Sequence, residues 1–187
     1  METSTEVLLA AEEKMDKCVE FLQGELSGLR TGKASPSLVE NITVDYYGTA
    51  TRLREIANIS TPEPRLIVIS PFDPSSLGAI EKAISAANIG ITPMNDGRLI
   101  RVPIPELSEE RRGELAKVAG RSTEEQRVAV RNVRREANDQ LKSLQKNSKI
   151  TEDERDESLE EVQKLTDDHI KKMDGMLSAK EKDVMEV

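Results

Sequence analysis

Three long amphipathic stretches constrain the fold of this chain more than any other feature. Apolar residues recur at spacings of three and four in residues 3–30, about 108–146 and 151–184, with charged residues between them. Each stretch predicts a helix, and the later two would each be roughly 50 Å long at 1.5 Å per residue. A helix with one apolar face cannot bury that face alone, so the sequence predicts a single antiparallel three-helix bundle.

Residues with known preferences for helix ends mark where these helices begin and end. Thr151 and Glu154 have the spacing of a capping box, in which each satisfies a backbone N–H near the other. Ser108 precedes two glutamates and suits an N-cap. Gly32 and Pro36 end the first helix.

The segment between the first two helices has a different composition, because seven of the eight prolines lie between residues 62 and 105. The patterns there predict strands at 42–47, 65–70, 89–94 and 98–102 and a short helix at 74–88, with a turn at Asn95–Gly97. The expected fold class is therefore α+β, a bundle with an inserted small mixed α/β domain. Its parts are the bundle (1–30 and 106–187), the inserted domain (31–105) and two connections that act as hinges, at about 30–36 and 102–106.

The inventory of reactive residues excludes several classes of protein. With one cysteine and one histidine, the chain cannot build a disulfide framework, and a zinc site of nitrogen and sulfur ligands is not expected. Cys18 and His169 lie on apolar stripes and are predicted to be packing residues. No glycine-rich phosphate loop is present. We expect a protein that is not an enzyme and has no catalytic residues, metal or cofactor.

The sequence also predicts where the protein resides. No run of about 18 apolar residues occurs, so no transmembrane helix and no membrane partner are expected. The first residues lack the basic and apolar regions of a secretory signal, and they are too acidic for a transit peptide. A cytoplasmic protein is the resulting expectation.

The net charge of −8 argues against a nucleic-acid partner only if the charge is uniform, and it is not. Residues 127–149 hold seven basic side chains and two acidic ones. At helical spacing, four arginines project from one side of the second long helix, away from its apolar stripe. The planar guanidinium suits bidentate contact with phosphate. These four are Arg127, Arg131, Arg134 and Arg135.

Two interpretations of these arginines remain open on the residue pattern. They bind phosphates of a nucleic acid, or they pair with acidic side chains of the third or first helix across the bundle. Arg30 and Lys33 extend the basic character to the first connection, although Arg30 also suits simple stabilisation of a helix C-terminus.

Four motifs give the chain a close resemblance to the bacterial ribosome-recycling factors. Agreement extends over nearly the whole chain. The motifs are Arg30-Thr-Gly-Lys-Ala-Ser-Pro36, Asp45-Tyr-Tyr-Gly-Thr49, Asn95-Asp-Gly-Arg-Leu-Ile-Arg-Val-Pro103 together with Leu107-Ser-Glu-Glu-Arg-Arg112, and Val128-Ala-Val-Arg-Asn-Val-Arg-Arg-Glu-Ala137.

The resemblance implies an L-shaped, monomeric protein with tRNA-like dimensions that acts after termination of translation. Such proteins bind the large ribosomal subunit, and elongation factor G with GTP then splits the ribosome and releases mRNA and tRNA. By position, Arg131, Arg134 and Arg135 would contact ribosomal RNA, with Arg127 and Arg30 as weaker candidates. The hinge would comprise Arg30, Thr31, Gly32, Lys33, Val102, Pro103, Ile104 and Pro105.

Two other functions fit part of the pattern. A helical adaptor would explain the three helices but not the inserted domain or the one-sided arginines. A general RNA-binding module would explain the arginines but would not need two hinged connections.

Overall fold

A computed structural model of the chain describes residues 3–186. Helices dominate its first and last parts, and short strands fill the middle. In chain order the elements are α1 (Ser4–Gly28), β1 (Thr43–Tyr46), β2 (Thr49–Arg52), α2 (Leu53–Ile56), β3 (Ala57–Glu63), β4 (Leu66–Pro71), α3 (Leu77–Ala86), β5 (Met94–Asn95), β6 (Ile100–Pro103), α4 (Glu109–Lys146) and α5 (Glu152–Met185).

Helices α1, α4 and α5 pack into the predicted antiparallel three-helix bundle, and the α+β class is confirmed. The late part of α1 shares an apolar cluster with the early part of α4, for example Leu26 with Ala119. Its early part shares a second apolar cluster with the late part of α4, for example Val7 with Leu141. The two helices therefore run in opposite directions. Among the described residues, the buried apolar side chains are aliphatic or methionine, which suits a chain that is 2% aromatic.

The start of α5 is fixed by the predicted capping box. The Thr151 Oγ1 accepts a hydrogen bond from the Glu154 backbone N–H at 3.2 Å, and the Glu154 Oε2 accepts one from the Thr151 N–H at 2.8 Å. Two of the N–H groups that a helix start leaves without partners are thereby satisfied.

The middle of the chain forms a small α/β unit with two antiparallel sheets. Strands β1 and β2 form a hairpin, and the second sheet has the order β3-β4-β6-β5. Alternate residues of β4 and β6 point to one face, where Ile67, Ile69 and Ile100 are fully buried. Helix α3 covers this face with Ile80 and Ile84.

Parts of this unit differ from the sequence-based expectation. The predicted strand at 89–94 is wrong except for its last residue, since β5 contains only Met94 and Asn95. Proline has no N–H to donate to a ladder, and Pro93 stands directly before β5. Ile89 and Ile91 still pack against the apolar core, which explains their apolar pattern. Strands β2 and β3 and the one-turn helix α2 were not predicted.

The chain divides into two compact units. One contains the residues up to Thr31 and those from Glu109 onward, and the other is Gly32–Ser108. None of the helices within residues 3–186 is long and apolar enough to span a membrane.

Candidate nucleic-acid interface

The four arginines of the predicted site, here called the arginine cluster, lie in the middle of α4. The structure corrects their expected placement. Arg127 and Arg134 do not point away from the bundle but lie on the flank of α4 that meets α5, where they contact Asp174 and Gln163. Arg135 is exposed and Arg131 is partly exposed. The cluster therefore has an inner side against α5 and an outer side toward solvent.

Arg127 forms ion pairs across the bundle. Its Nε donates to the Asp174 Oδ1 at 2.8 Å, Nη2 contacts the same carboxylate, and Nη1 donates to the Glu124 Oε2 at 2.9 Å. Only 21% of the Arg127 side chain is exposed. For this residue the structure shows the pairing that the sequence pattern left as an alternative to phosphate binding.

Glu124 joins two members of the cluster. Its other oxygen, Oε1, accepts a hydrogen bond from the Arg131 Nη1 at 3.1 Å. The hydrogen bonds from Arg127 and then Arg131 hold the pKa of Glu124 below its usual value. Sequence reasoning missed this carboxylate, although its spacing of three and seven residues from the two arginines places it within their reach on a helix.

Arg134 and Arg135 have neutral partners. The Arg134 Nη1 donates to the Gln163 Oε1 at 3.2 Å, and the Arg135 Nη1 donates weakly to the Asn132 Oδ1 at 3.4 Å. No carboxylate in the described part of the chain pairs with either guanidinium. Arg134 and Arg135 thus carry positive charge that no carboxylate of the described residues neutralises, whereas Arg127 and Arg131 are each paired with a carboxylate.

Arg30 lies apart from the cluster along the bundle. It follows the end of α1 by two residues and is exposed. The ion pair of Lys14 with Glu136 places these two residues at the same level of α1 and α4. Arg131 precedes Glu136 by five residues and Gly28 follows Lys14 by fourteen, so in antiparallel helices the end of α1 lies roughly 13 Å beyond the level of Arg131.

The predicted second hinge includes residues that the structure holds within the α/β unit. Val102 is fully buried, and Pro103 pairs with Leu66 in the sheet. The Ile104 N–H donates to the Arg65 carbonyl at 2.8 Å, which continues the same pairing. Of the hinge residues on this side, only Pro105 lies beyond these contacts.

The first connection contains one backbone conformation that requires glycine. Gly32 has φ +76°, and a Cβ added there would lie 3.2 Å from the Leu107 Cγ. Two residues later, the Ala34 N–H donates to the Pro64 carbonyl at 2.7 Å. A residue with a Cβ at position 32 would be strained in its backbone and crowded against Leu107.

His169 and Cys18 hold positions within the bundle. The His169 ring is 8% exposed, with Nδ1 2.6 Å from the Leu165 carbonyl and Nε2 3.0 Å from the Asp16 Oδ1. Cys18 packs partly buried on the apolar core, and burial raises the pKa of its thiol. No group of histidine, cysteine and acidic side chains within residues 3–186 could hold a metal ion.

Comparison with known proteins identifies the family. The family model described as ribosome recycling factor matches residues 22–185. The chain belongs to the ribosome recycling factor family. Curated ribosome-recycling factors share 53% of residues over 182 positions in Geobacillus sp. strain WCH70 and 52% over 184 positions in Bacillus subtilis strain 168. These alignments cover 97% and 98% of this chain, and 98% and 100% of the two relatives.

Solved structures give the same result. A solution structure of a ribosome recycling factor is 43% identical with a TM-score of 0.77, and each chain is covered to 98%. A second structure, 41% identical with a TM-score of 0.65, covers 98% of this chain and 100% of the other. It describes the T. thermophilus ribosome recycling factor with the E. coli elongation factor G, bound to the E. coli post-termination complex.

Family membership confirms the expected function. The chain is a translation factor that acts in ribosome recycling, and it is not an enzyme. The helical adaptor and the general RNA-binding module are thereby set aside.

Proposed function

We propose that this protein binds the large subunit of the post-termination ribosome through its arginine cluster, chiefly through Arg131, Arg134 and Arg135. The observation that carries the proposal is the pairing of Arg134 and Arg135 with neutral amides only. A guanidinium without a carboxylate partner keeps its full attraction for phosphate. Arg131 is a third contact, since 41% of its side chain is exposed. Arg127 and Arg30 are weaker candidates, the first because of its ion pairs and the second because of its distance.

The two units supply the mechanical part of the proposal. Helix α4 is one uninterrupted helix of 38 residues, so it is about 57 Å long. Two connections, residues 30–33 and 105–108, join this bundle to the α/β unit. We propose that elongation factor G with GTP acts on the α/β unit and moves it about these connections. The bound bundle transmits the movement, and the ribosomal subunits separate.

The similarity to a recycling factor seen with elongation factor G on a post-termination complex supports this sequence of events. The protein would act as a monomer in the cytoplasm, where these ribosomes are found. It contributes binding and geometry, whereas elongation factor G supplies the hydrolysis of GTP.

A polysome-breakdown assay tests the proposal. Polysomes from Bacillus subtilis, stripped of nascent chains, are mixed with elongation factor G, GTP and this protein, and the subunits are resolved on a sucrose gradient. Free subunits should accumulate only when all three components are present. Unchanged polysomes in the full mixture, with an active B. subtilis recycling factor as positive control, would contradict the proposal.

A further inference from the structure

Glu124 occupies a position that the function described so far does not explain. It is a carboxylate inside a surface proposed to bind phosphates, and its two oxygens contact two different arginines. Half of its side chain, 52%, is exposed. A negative charge at this place opposes the binding of RNA, and it contributes nothing to the apolar core.

The contacts form a chain of alternating charges across the surface. Asp174 on α5 pairs with Arg127, Arg127 pairs with Glu124, and Glu124 pairs with Arg131. The negative charges of Asp174 and Glu124 thereby neutralise the positive charges of Arg127 and Arg131. Arg127 would keep its Asp174 partner if Glu124 were neutralised, whereas Arg131 would lose its only carboxylate within the described residues.

Arg131 therefore has two competing partners once the protein meets RNA. A phosphate that approaches its guanidinium must displace the Glu124 carboxylate or accept it as a close negative neighbour. The lowered pKa of Glu124 means that this carboxylate stays ionised at neutral pH. The competitor is thus present whenever the protein binds.

We propose that Glu124 is an intramolecular competitor for RNA phosphate at Arg131, which weakens the hold of this surface on the large subunit. The inference rests on the proposed function of the arginine cluster. In the free protein Arg131 is held by Glu124, and on the ribosome it exchanges to a phosphate. The Glu124 carboxylate remains close by and favours the return of the Arg131 guanidinium from the phosphate to the internal ion pair. A factor that must leave after each round of recycling is thereby kept from binding too tightly.

Neutralisation of Glu124 tests the proposal, with its sequence neighbour as matched control. Glu124→Gln and Glu125→Gln remove the same charge from consecutive positions, but residues one apart on a helix point about 100° away from each other. The affinity for purified B. subtilis large ribosomal subunits is measured between 50 and 200 mM KCl. Each variant is repeated in an Arg131→Ala background.

Glu124→Gln should bind more tightly than Glu125→Gln. It should also show a salt slope steeper by about 0.7 to 0.9, because the contact of Arg131 with phosphate then releases a counterion and no freed Glu124 carboxylate takes one up. The loss of affinity between the two salt concentrations would then be about threefold larger. The gain should disappear in the Arg131→Ala background. Equal binding by the two glutamine variants, or a gain that persists without Arg131, would overturn the proposal.

A further variant separates failure of this inference from failure of the proposed function. Arg134→Glu removes a cation that Glu124 does not contact. If Arg134→Glu weakens binding while Glu124→Gln behaves like Glu125→Gln, only the competitor role is wrong. If Arg134→Glu leaves binding unchanged, the arginine cluster is not the RNA interface and both proposals fail.

Discussion

The Nε2 of His169 on α5 lies 3.0 Å from the Asp16 Oδ1 on α1, across 153 positions of sequence. The other ring nitrogen, Nδ1, lies 2.6 Å from the Leu165 carbonyl. Each nitrogen of this buried ring thus lies within hydrogen-bond distance of an oxygen acceptor, and the first and last helices are joined by a specific contact.

Removal of the carboxylate should therefore destabilise the bundle. In Asp16→Ala the buried ring nitrogen loses its partner, and we expect a loss of about 1–3 kcal/mol in the free energy of unfolding, measured by urea denaturation. Asp16→Asn keeps an oxygen acceptor and should lose less. Glu20→Ala, at an exposed position one turn away, is the control. A loss in Asp16→Ala no larger than in this control would contradict the assigned contact.

The capping box at the start of α5 should contribute measurably to stability. Thr151→Ala removes the oxygen that accepts from the Glu154 N–H, so we expect a loss of about 1 kcal/mol in the free energy of unfolding. Thr151→Ser keeps that oxygen and should remain close to wild type. Equal stability of the alanine and serine variants would show that the cap does not stabilise the helix.

The conformation of Gly32 predicts a strained alanine variant. Any L-residue at φ +76° costs about 1–2 kcal/mol, and here the added Cβ also presses on the Leu107 side chain. Gly97→Ala has a similar φ of +87° and nothing within 4 Å, so it measures the backbone cost alone. Gly32→Ala should unfold at a lower urea concentration than Gly97→Ala. Leu107→Ala should cost less in the Gly32→Ala background than alone, and additive losses would rule out the contact.

Asp73 in the α/β unit predicts a dependence of stability on pH. The Tyr47 hydroxyl donates to the Asp73 Oδ2 at 2.6 Å, and this bond, followed by those from Ser75, holds the pKa of Asp73 below its usual value. A carboxyl with a lowered folded pKa stabilises the fold fully above its unfolded pKa, near 3.8, and this contribution is lost as the pH falls through the folded value.

Tyr47→Phe removes the main donor to that carboxylate. Relative to wild type, the variant should lose more stability at pH 7 than at pH 2. Its free energy of unfolding, measured by urea denaturation at each pH, should therefore change less across the acid range than that of wild type. Asp73→Asn is the reference variant, because it has no carboxyl that can titrate at this position. A parallel shift of the Tyr47→Phe curve at all pH values would show that the hydroxyl acts only through packing.

The sequence predicted the bundle well because its signals are local. The apolar spacing in α1, α4 and α5 and the Thr151–Glu154 cap operate within a few residues, and the structure reproduces each of them. The α/β unit was harder to predict. Only one residue of β3, Ala57, is buried, so this edge strand lacks the alternating apolar pattern that identifies a half-buried strand.

The site was predictable in its location but not in its pairing. Four arginines on one helix can be found from spacing alone. The partner of Arg127, however, is Asp174, which is 47 positions away on another helix. Only the packing of α4 on α5 determines which arginine meets an acid and which meets the neutral Gln163. Distant pairs of this kind leave no pattern in a single sequence.

The central claim is that Arg134 and Arg135 bind phosphates of the large ribosomal subunit. Its most direct test is a salt titration of binding to purified B. subtilis large subunits for an Arg134→Glu/Arg135→Glu variant. The control is Lys171→Glu/Lys172→Glu on α5, where both lysines are exposed and the net charge changes equally. The arginine variant should bind at least about tenfold more weakly at 50 mM salt, with a slope shallower by about 1.4 to 1.8, while the lysine variant stays near wild type. Equal affinities and slopes for the two variants would contradict the account.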